Sequence, residues 1–190
     1  ARLHAQYPSD VGVFCVYLLN FTILQPGEAL FLAANEPHAY IFGDCIECMA
    51  TSDNVVRAGL TPKFKDVEVL CEMLTYNDGA PFLVRSSAVA DGVERYLTPV
   101  PEFLVDKVEL AEAQAALLPS SPFASILLVV DGEGTLDEYG PGSEAGAQQH
   151  SLSAGSVFVM YAWTKVRVAS QSRLLAFRAT SRYILEEADR

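Results

Sequence analysis

One stretch of the chain gathers the side chains that could do chemistry: His38, Tyr40, Glu47, Arg57 and Lys63. His38 follows Pro37 in a short loop past the apolar run Ala29-Leu30-Phe31-Leu32. A neutral imidazole suits zinc, and a Pro-fixed loop at a strand end is a firm mount for a ligand. A metal needs three or four protein ligands, and the other imidazoles are His4 and His150. Spacing alone therefore leaves His38 open between a ligand and a structural residue. Tyr40, two residues on, falls on the same face of a strand and would line the same pocket or pack in a core. Glu47 sits inside Cys45-Ile46-Glu47-Cys48-Met49. A carboxylate in such a strand must be paired, face a metal or face water; in a pocket it would act as a base or support a ligand. Arg57 and Lys63 flank Thr61-Pro62, which reads as a helix start. Two cations beside free backbone N–H groups make an anion site, or else a solvated loop.

Other motifs carry less. Cys45 and Cys48 match C-x-x-C, but no second pair exists and a strand would point the two thiols to opposite faces. Cys15, Cys45, Cys48 and Cys71 read as buried free thiols of a reducing compartment, hence the cytoplasm. Gln148-Gln149-His150 contains a Q-x-H pair, placed by the polar run Gly140–Gln149 in a loop with no strand to fix it.

The elements that must position these residues read mainly as strands. Val13–Leu19 is an apolar run typical of a buried strand, and Phe21–Leu24 continues it. After the Pro26-Gly27 turn, Ala29–Ala33 is a strand. Ala39–Phe42 and Cys45–Met49 pair about Gly43-Asp44. One helix is expected near 62–76, with Phe64, Val67, Leu70, Cys71 and Leu74 at helical spacing. Asp91–Pro101 reads as a linker or crossover. Strands follow at Phe103–Leu110, Ser125–Val130, Val157–Tyr161, Val166–Ala169 and Leu174–Ala179. Short strands separated by Gly and Pro indicate a sandwich or barrel.

The two halves look related. Setting Gly27 on Gly155 brings Leu24 to Leu152, Ala34 to Ala162, and Ala29–Leu32 to Val157–Met160. His38 then meets Val166, so the second copy lacks the imidazole. The expected division is 1–95 and 96–190.

The chain has 190 residues, 51% of them hydrophobic, enough for a packed core. Its net charge of -11 argues against nucleic acid and anionic membranes as partners. No apolar run is long enough to span a membrane. The start lacks both a signal pattern and a Met, as expected of a chain that begins inside a longer protein.

Three stretches carry a family likeness. They are Ala34-Asn35-Glu36-Pro37-His38-Ala39-Tyr40, Gly43 to Ala50, and Ser52 to Lys63; Tyr7-Pro8-Ser9-Asp10-Val11-Gly12 adds to them. Together they resemble type I mannose-6-phosphate isomerase (phosphomannose isomerase), specifically up to about Tyr76 and more generally beyond. The resemblance implies a mainly β cupin (jelly-roll) fold: the end of a catalytic first cupin plus a second, metal-free cupin. It implies a Zn2+-dependent aldose–ketose isomerase of carbohydrate metabolism, on the way to GDP-mannose. Mannose 6-phosphate and fructose 6-phosphate would interconvert through an enediol. His38 would be one zinc ligand, with three more expected upstream of this chain. Arg57, Glu47 and Lys63 would be catalytic, and Tyr40, Arg57 and Lys63 would bind the sugar phosphate. The missing N-terminal portion would then be a partner, and the chain alone would be inactive. The competing expectation is a non-catalytic cupin module that binds a sugar or a protein.

Overall fold

A computed structural model describes residues 1–190 except Asp53, 141–146 and 184–190. The described chain divides into two compact units, one of Ala1–Cys45 with Thr51–Leu83, the other of Ile46–Ala50 with Val84–Arg190. It is mainly β, as the sequence predicts, but the strands are unevenly shared.

The first unit holds α1 (Arg2–Gln6), a 3-10 turn at Val11–Phe14, α2 (Cys15–Leu18), β1 (Ala29–Phe31) and α3 (Val67–Met73). The run Val13–Leu19 is thus helical rather than a buried strand, and Val16, Tyr17 and Leu18 are exposed. A strand needs a neighbour to take its N–H and C=O groups. No strand pairs with this segment among the described residues, and local bonds such as Leu19 N–H to the Cys15 carbonyl at 2.9 Å serve instead. Phe21–Leu24, Ala39–Phe42 and Cys45–Met49 are likewise without strand structure. β1 pairs with β2 (Phe82–Val84), and Phe31 meets Phe82 edge-on at 6.2 Å.

The expected helix near 62–76 is shorter at both ends. Its N-cap is Asp66, whose carboxylate accepts from Val69 N–H at 3.1 Å, whereas Thr61 accepts from Lys63 N–H within a turn. Residues 60–65 are kept from the helix by a contact from far away in sequence, described below.

The second unit contains the core. Its strands are β3 (Ser86–Ala90), β4 (Val93–Tyr96), β5 (Leu104–Leu110), β6 (Ala115–Leu117), β7 (Ser125–Tyr139), β8 (Gln148–Ser153), β9 (Val157–Met160) and β10 (Lys165–Thr180). The sheet runs β3-β4-β5-β10-β7-β8, with β6 also on β10 and β9 also on β7. Each long central strand therefore has one neighbour along its first half and another along its second. Both bend where Gly132 takes φ 88 and the register shifts between Ser170 and Leu174. A Cβ at Gly132 would lie 1.7 Å from the Arg173 carbonyl, so only glycine permits the close approach.

Alternation along β5 and β10 sends Val108, Leu110, Val168, Leu174 and Ala176 inward, all fully buried. The same alternation sends Asp106 inward at 0% exposure. Its register partners Arg95 on β4 and Arg178 on β10 both reach it. Arg95 is bidentate at 2.7 and 3.1 Å, and Arg178 donates at 2.5 and 3.1 Å while a third N–H meets the Pro119 carbonyl. A buried carboxylate is tolerable only when paired in this way.

Two expectations for this half change. Asp91–Pro101 contains β4 and is no linker, because Asp91-Gly92 makes a two-residue hairpin loop between Ala90 and Val93. Gln148-Gln149-His150 lies on β8, where the β7 ladder fixes it, with His150 opposite Leu136. The rest of the loop expected at 140–149 falls largely on 141–146, outside the described residues.

Candidate active-site loops

Two loops of the first unit carry four of the five residues singled out by sequence. The first leaves β1. Its backbone turns at Asn35, φ 65, and delivers His38 and Tyr40 with ring centroids 5.8 Å apart. Both are exposed and neither is on a strand, so the pairing comes from the loop rather than from strand alternation. His38 Nδ1 lies 3.0 Å from the Glu36 carbonyl. With the proton on Nδ1 that bond is made, and Nε2 keeps its lone pair for a ligand, the arrangement typical of metal-bound imidazoles. Glu36 in turn accepts from Asn77 through its carboxylate at 3.1 Å, and Thr75 N–H bonds the Asn35 carbonyl, so the stretch after α3 braces this loop.

The second loop runs from Arg57 to Lys65. Arg57 is half-buried, and among the described residues its guanidinium has no ion pair or hydrogen bond. Lys63 is exposed. The expected anion site at a helix N-terminus does not form. α3 begins at Val67, beyond both cations, and Asp66 already takes one of its free N–H groups, that of Val69.

A residue without an assigned role organises this loop. Asp10 accepts from Gly12 N–H at 2.8 Å, from Leu60 N–H at 3.1 Å and from the Lys65 ammonium at 2.7 Å. Its side chain is only 8% exposed. The Lys65 hydrogen bond, then the Gly12 N–H, hold its pKa below the ordinary carboxylate value. In the sequence Asp10 stands only within the stretch Tyr7 to Gly12 that carries the family likeness, and nothing local pairs position 10 with position 60.

Glu47 is exposed and lies in the irregular stretch 46–50, which clusters with the second unit. The four cysteines are free, but none is buried: Cys45 and Cys71 are exposed, Cys15 and Cys48 intermediate. Partial burial of the Cys48 thiol is enough to raise its pKa. Among the described residues no group of three His, Cys, Asp or Glu could hold a metal ion. His38 fits as one ligand, and the described donor set does not complete a zinc site. Nor is any helix among the described residues long and apolar enough to cross a membrane.

No protein-family model matches the chain. Curated relatives do. Mannose-6-phosphate isomerase 1 of Arabidopsis thaliana is 45% identical over 178 residues, 94% of this chain and 40% of that protein. Mannose-6-phosphate isomerase of Homo sapiens is 51% identical over 139 residues, 69% of this chain and 32% of that protein. The matches fall in the C-terminal part of these relatives, and the chain spans about two fifths of the Arabidopsis protein's length. A crystal structure of a lysine-to-alanine mutant of phosphomannose isomerase from Salmonella typhimurium superposes with TM-score 0.70 at 26% identity, over 95% of this chain and 45% of that one.

Proposed function

We infer that this chain, a relative of the mannose-6-phosphate isomerases aligned with their C-terminal part, is the C-terminal portion of such an enzyme. The whole protein would interconvert mannose 6-phosphate and fructose 6-phosphate through an enediol, in the cytoplasm, and feed GDP-mannose formation. The observation that carries this is 45% identity sustained over 94% of the chain.

The chemistry asked of this chain is modest and suits its residues. A proton must move between C2 and C1 of the sugar while negative charge develops on the enediolate oxygens. Arg57 is permanently charged and half-buried, so its guanidinium suits that charge better than it suits proton removal. For the proton transfer Glu47 stands, on its motif alone, beside a water or hydroxyl that the metal would hold, and the sequence does not rank the two. Lys63, exposed in the same loop as Arg57, supplies a point charge for the phosphate or a ring oxygen. Tyr40 stands beside His38 and lines the sugar site. Zinc enters as the ion for which His38 supplies one ligand, the others coming from a portion that precedes this chain. That portion would also cover the exposed Val16, Tyr17, Leu18, Phe21 and Ile23.

The test is an isomerase assay with metal analysis on two samples, the isolated chain and a polypeptide extended at its N-terminus. The extended polypeptide is expected to turn over mannose 6-phosphate with zinc bound, and the isolated chain to do neither. Turnover by the isolated chain would refute the division of labour. No turnover by a folded, zinc-loaded extended polypeptide would refute the function.

A further inference from the structure

We propose that Asp10 is a positioning residue for the Arg57 loop, acting through a clasp made with Gly12, Gly59, Leu60 and Lys65. This rests on the role given to Arg57 above and assigns the device that sets its guanidinium.

Three features converge. First, one carboxylate collects a nearby N–H from Gly12, a distant N–H from Leu60 and the Lys65 ammonium, and so ties the start of the chain to both ends of the 60–65 segment. Second, Gly12 and Gly59 meet back to back. A Cβ at Gly12 would lie 2.9 Å from Asp10 Oδ1, 3.1 Å from Leu60 Cγ and 3.2 Å from Gly59 Cα. A Cβ at Gly59 would lie 3.1 Å from both Asp10 Oδ1 and Gly12 Cα. Neither glycine has a positive φ, so the close approach, not conformational freedom, is what requires them. Third, Leu60 is held at φ 53, a left-handed conformation that a leucine adopts only under outside constraint. The Asp10 bond to its N–H supplies that constraint.

The clasp also sorts the cations. Lys65 is consumed by Asp10, whereas Arg57, two residues before Gly59, stays without a partner among the described residues. A residue that holds a charged group to within a fraction of an ångström need not touch substrate to matter.

The experiment measures kcat and KM for mannose 6-phosphate on the extended isomerase polypeptide, well below its melting temperature. Asp10→Ala is expected to lower kcat by about a hundredfold with KM changed less, since a misplaced Arg57 costs the transition state more than the ground state. Asp10→Asn keeps one acceptor oxygen, enough for the Gly12 or the Leu60 N–H but not both, and loses the charge facing Lys65, so its kcat is expected to fall between wild type and Asp10→Ala. Gly59→Ala, which crowds the clasp while leaving Asp10 intact, is expected to lower kcat by about tenfold and keeps the test open if Asp10→Ala does not fold. Amide exchange at Leu60 should quicken in Asp10→Ala. Wild-type kcat in folded Asp10→Ala or Gly59→Ala would overturn the inference. Arg57→Ala serves as the control. If it too keeps wild-type kcat, the functional role of Arg57 fails; if it is inactive while Asp10→Ala is normal, the clasp alone fails.

Discussion

The segment Gln25–Asn35 and the segment Ser153–Trp163 are built alike and end differently. Each opens on a turn closed by the same bond, Glu28 N–H to the Gln25 carbonyl and Ser156 N–H to the Ser153 carbonyl, both 2.9 Å. Each turn is capped by the same side-chain position, Gln25 N–H to the Glu28 carboxylate at 2.8 Å and Ser153 N–H to the Ser156 hydroxyl at 3.1 Å. Gly27 and Gly155 stand at φ 87 and 85, and Asn35 and Trp163 at φ 65 and 62. Between them lie β1 and β9. Beyond them the likeness stops: Val166 enters β10 at 2% exposure, whereas His38 enters an exposed loop. Turns are local and form wherever their residues occur. Strands are not, and extend only where a neighbour completes the ladder. In the second copy β7 is that neighbour.

The contrast collapses most completely when the support of the second copy is removed. Asp106→Ala leaves the buried Arg178 guanidinium, 3% exposed, without its charge partner. Burial depresses the Arg178 pKa, and the Asp106 charge offsets only part of that shift. Losing one partner of such a pair costs about 3–5 kcal/mol. Urea unfolding should report that loss, with Ser156 amide protection outlasting that of Val159. A cost below about 1 kcal/mol would mean the sheet does not depend on this cluster.

Gly155→Ala isolates the local half of the likeness. Nothing lies within 4 Å of the added Cβ, so only the φ of 85 opposes it. About 1–2 kcal/mol is expected in the melting curve. Smaller still, Glu28→Ala and Ser156→Ala each remove one turn-capping acceptor, worth about 0.5–1.5 kcal/mol. The two should act alike on exchange of the Gln25 and Ser153 amides. Unequal effects would show that the two turns only look equivalent.

The weakest effect is a pH dependence confined to the first unit. Asp10 has a folded pKa held below its ordinary value, with the Lys65 ammonium facing it. Its contribution is therefore complete above the ordinary carboxylate range and lost as pH falls through the lowered folded pKa. Leu60 amide exchange should be steady from neutral pH to about 5, once corrected for intrinsic rates, and accelerate only in stronger acid. Acceleration near neutral pH would implicate another group.

These contrasts explain what can be read in the sequence. The Pro26-Gly27 turn, the repeat at Gly155, and the strands at Phe103–Leu110 and Val157–Tyr161 are legible because turn residues and alternation act locally. Val13–Leu19 misleads because an apolar run specifies burial or a strand only if a partner exists. β4 escapes notice because Glu94 and Arg95 hide its pattern, although Asp91-Gly92 marks the hairpin. The start of α3 lies later than Thr61-Pro62 suggests because Asp10, fifty positions away from Leu60, pulls residues 60–65 out of the helix. Of the site, His38, Tyr40, Arg57 and Lys63 are legible as types, while the clasp that places the Arg57 loop is not.

Whether the His38 and Arg57 loops belong to a mannose-6-phosphate isomerase is decided by turnover of the extended polypeptide, wild type against Arg57→Ala, with folding and zinc content matched. Turnover by the wild type and a loss of at least about a hundredfold in Arg57→Ala are expected. Equal turnover by the two proteins, or none by the wild type, would contradict that assignment.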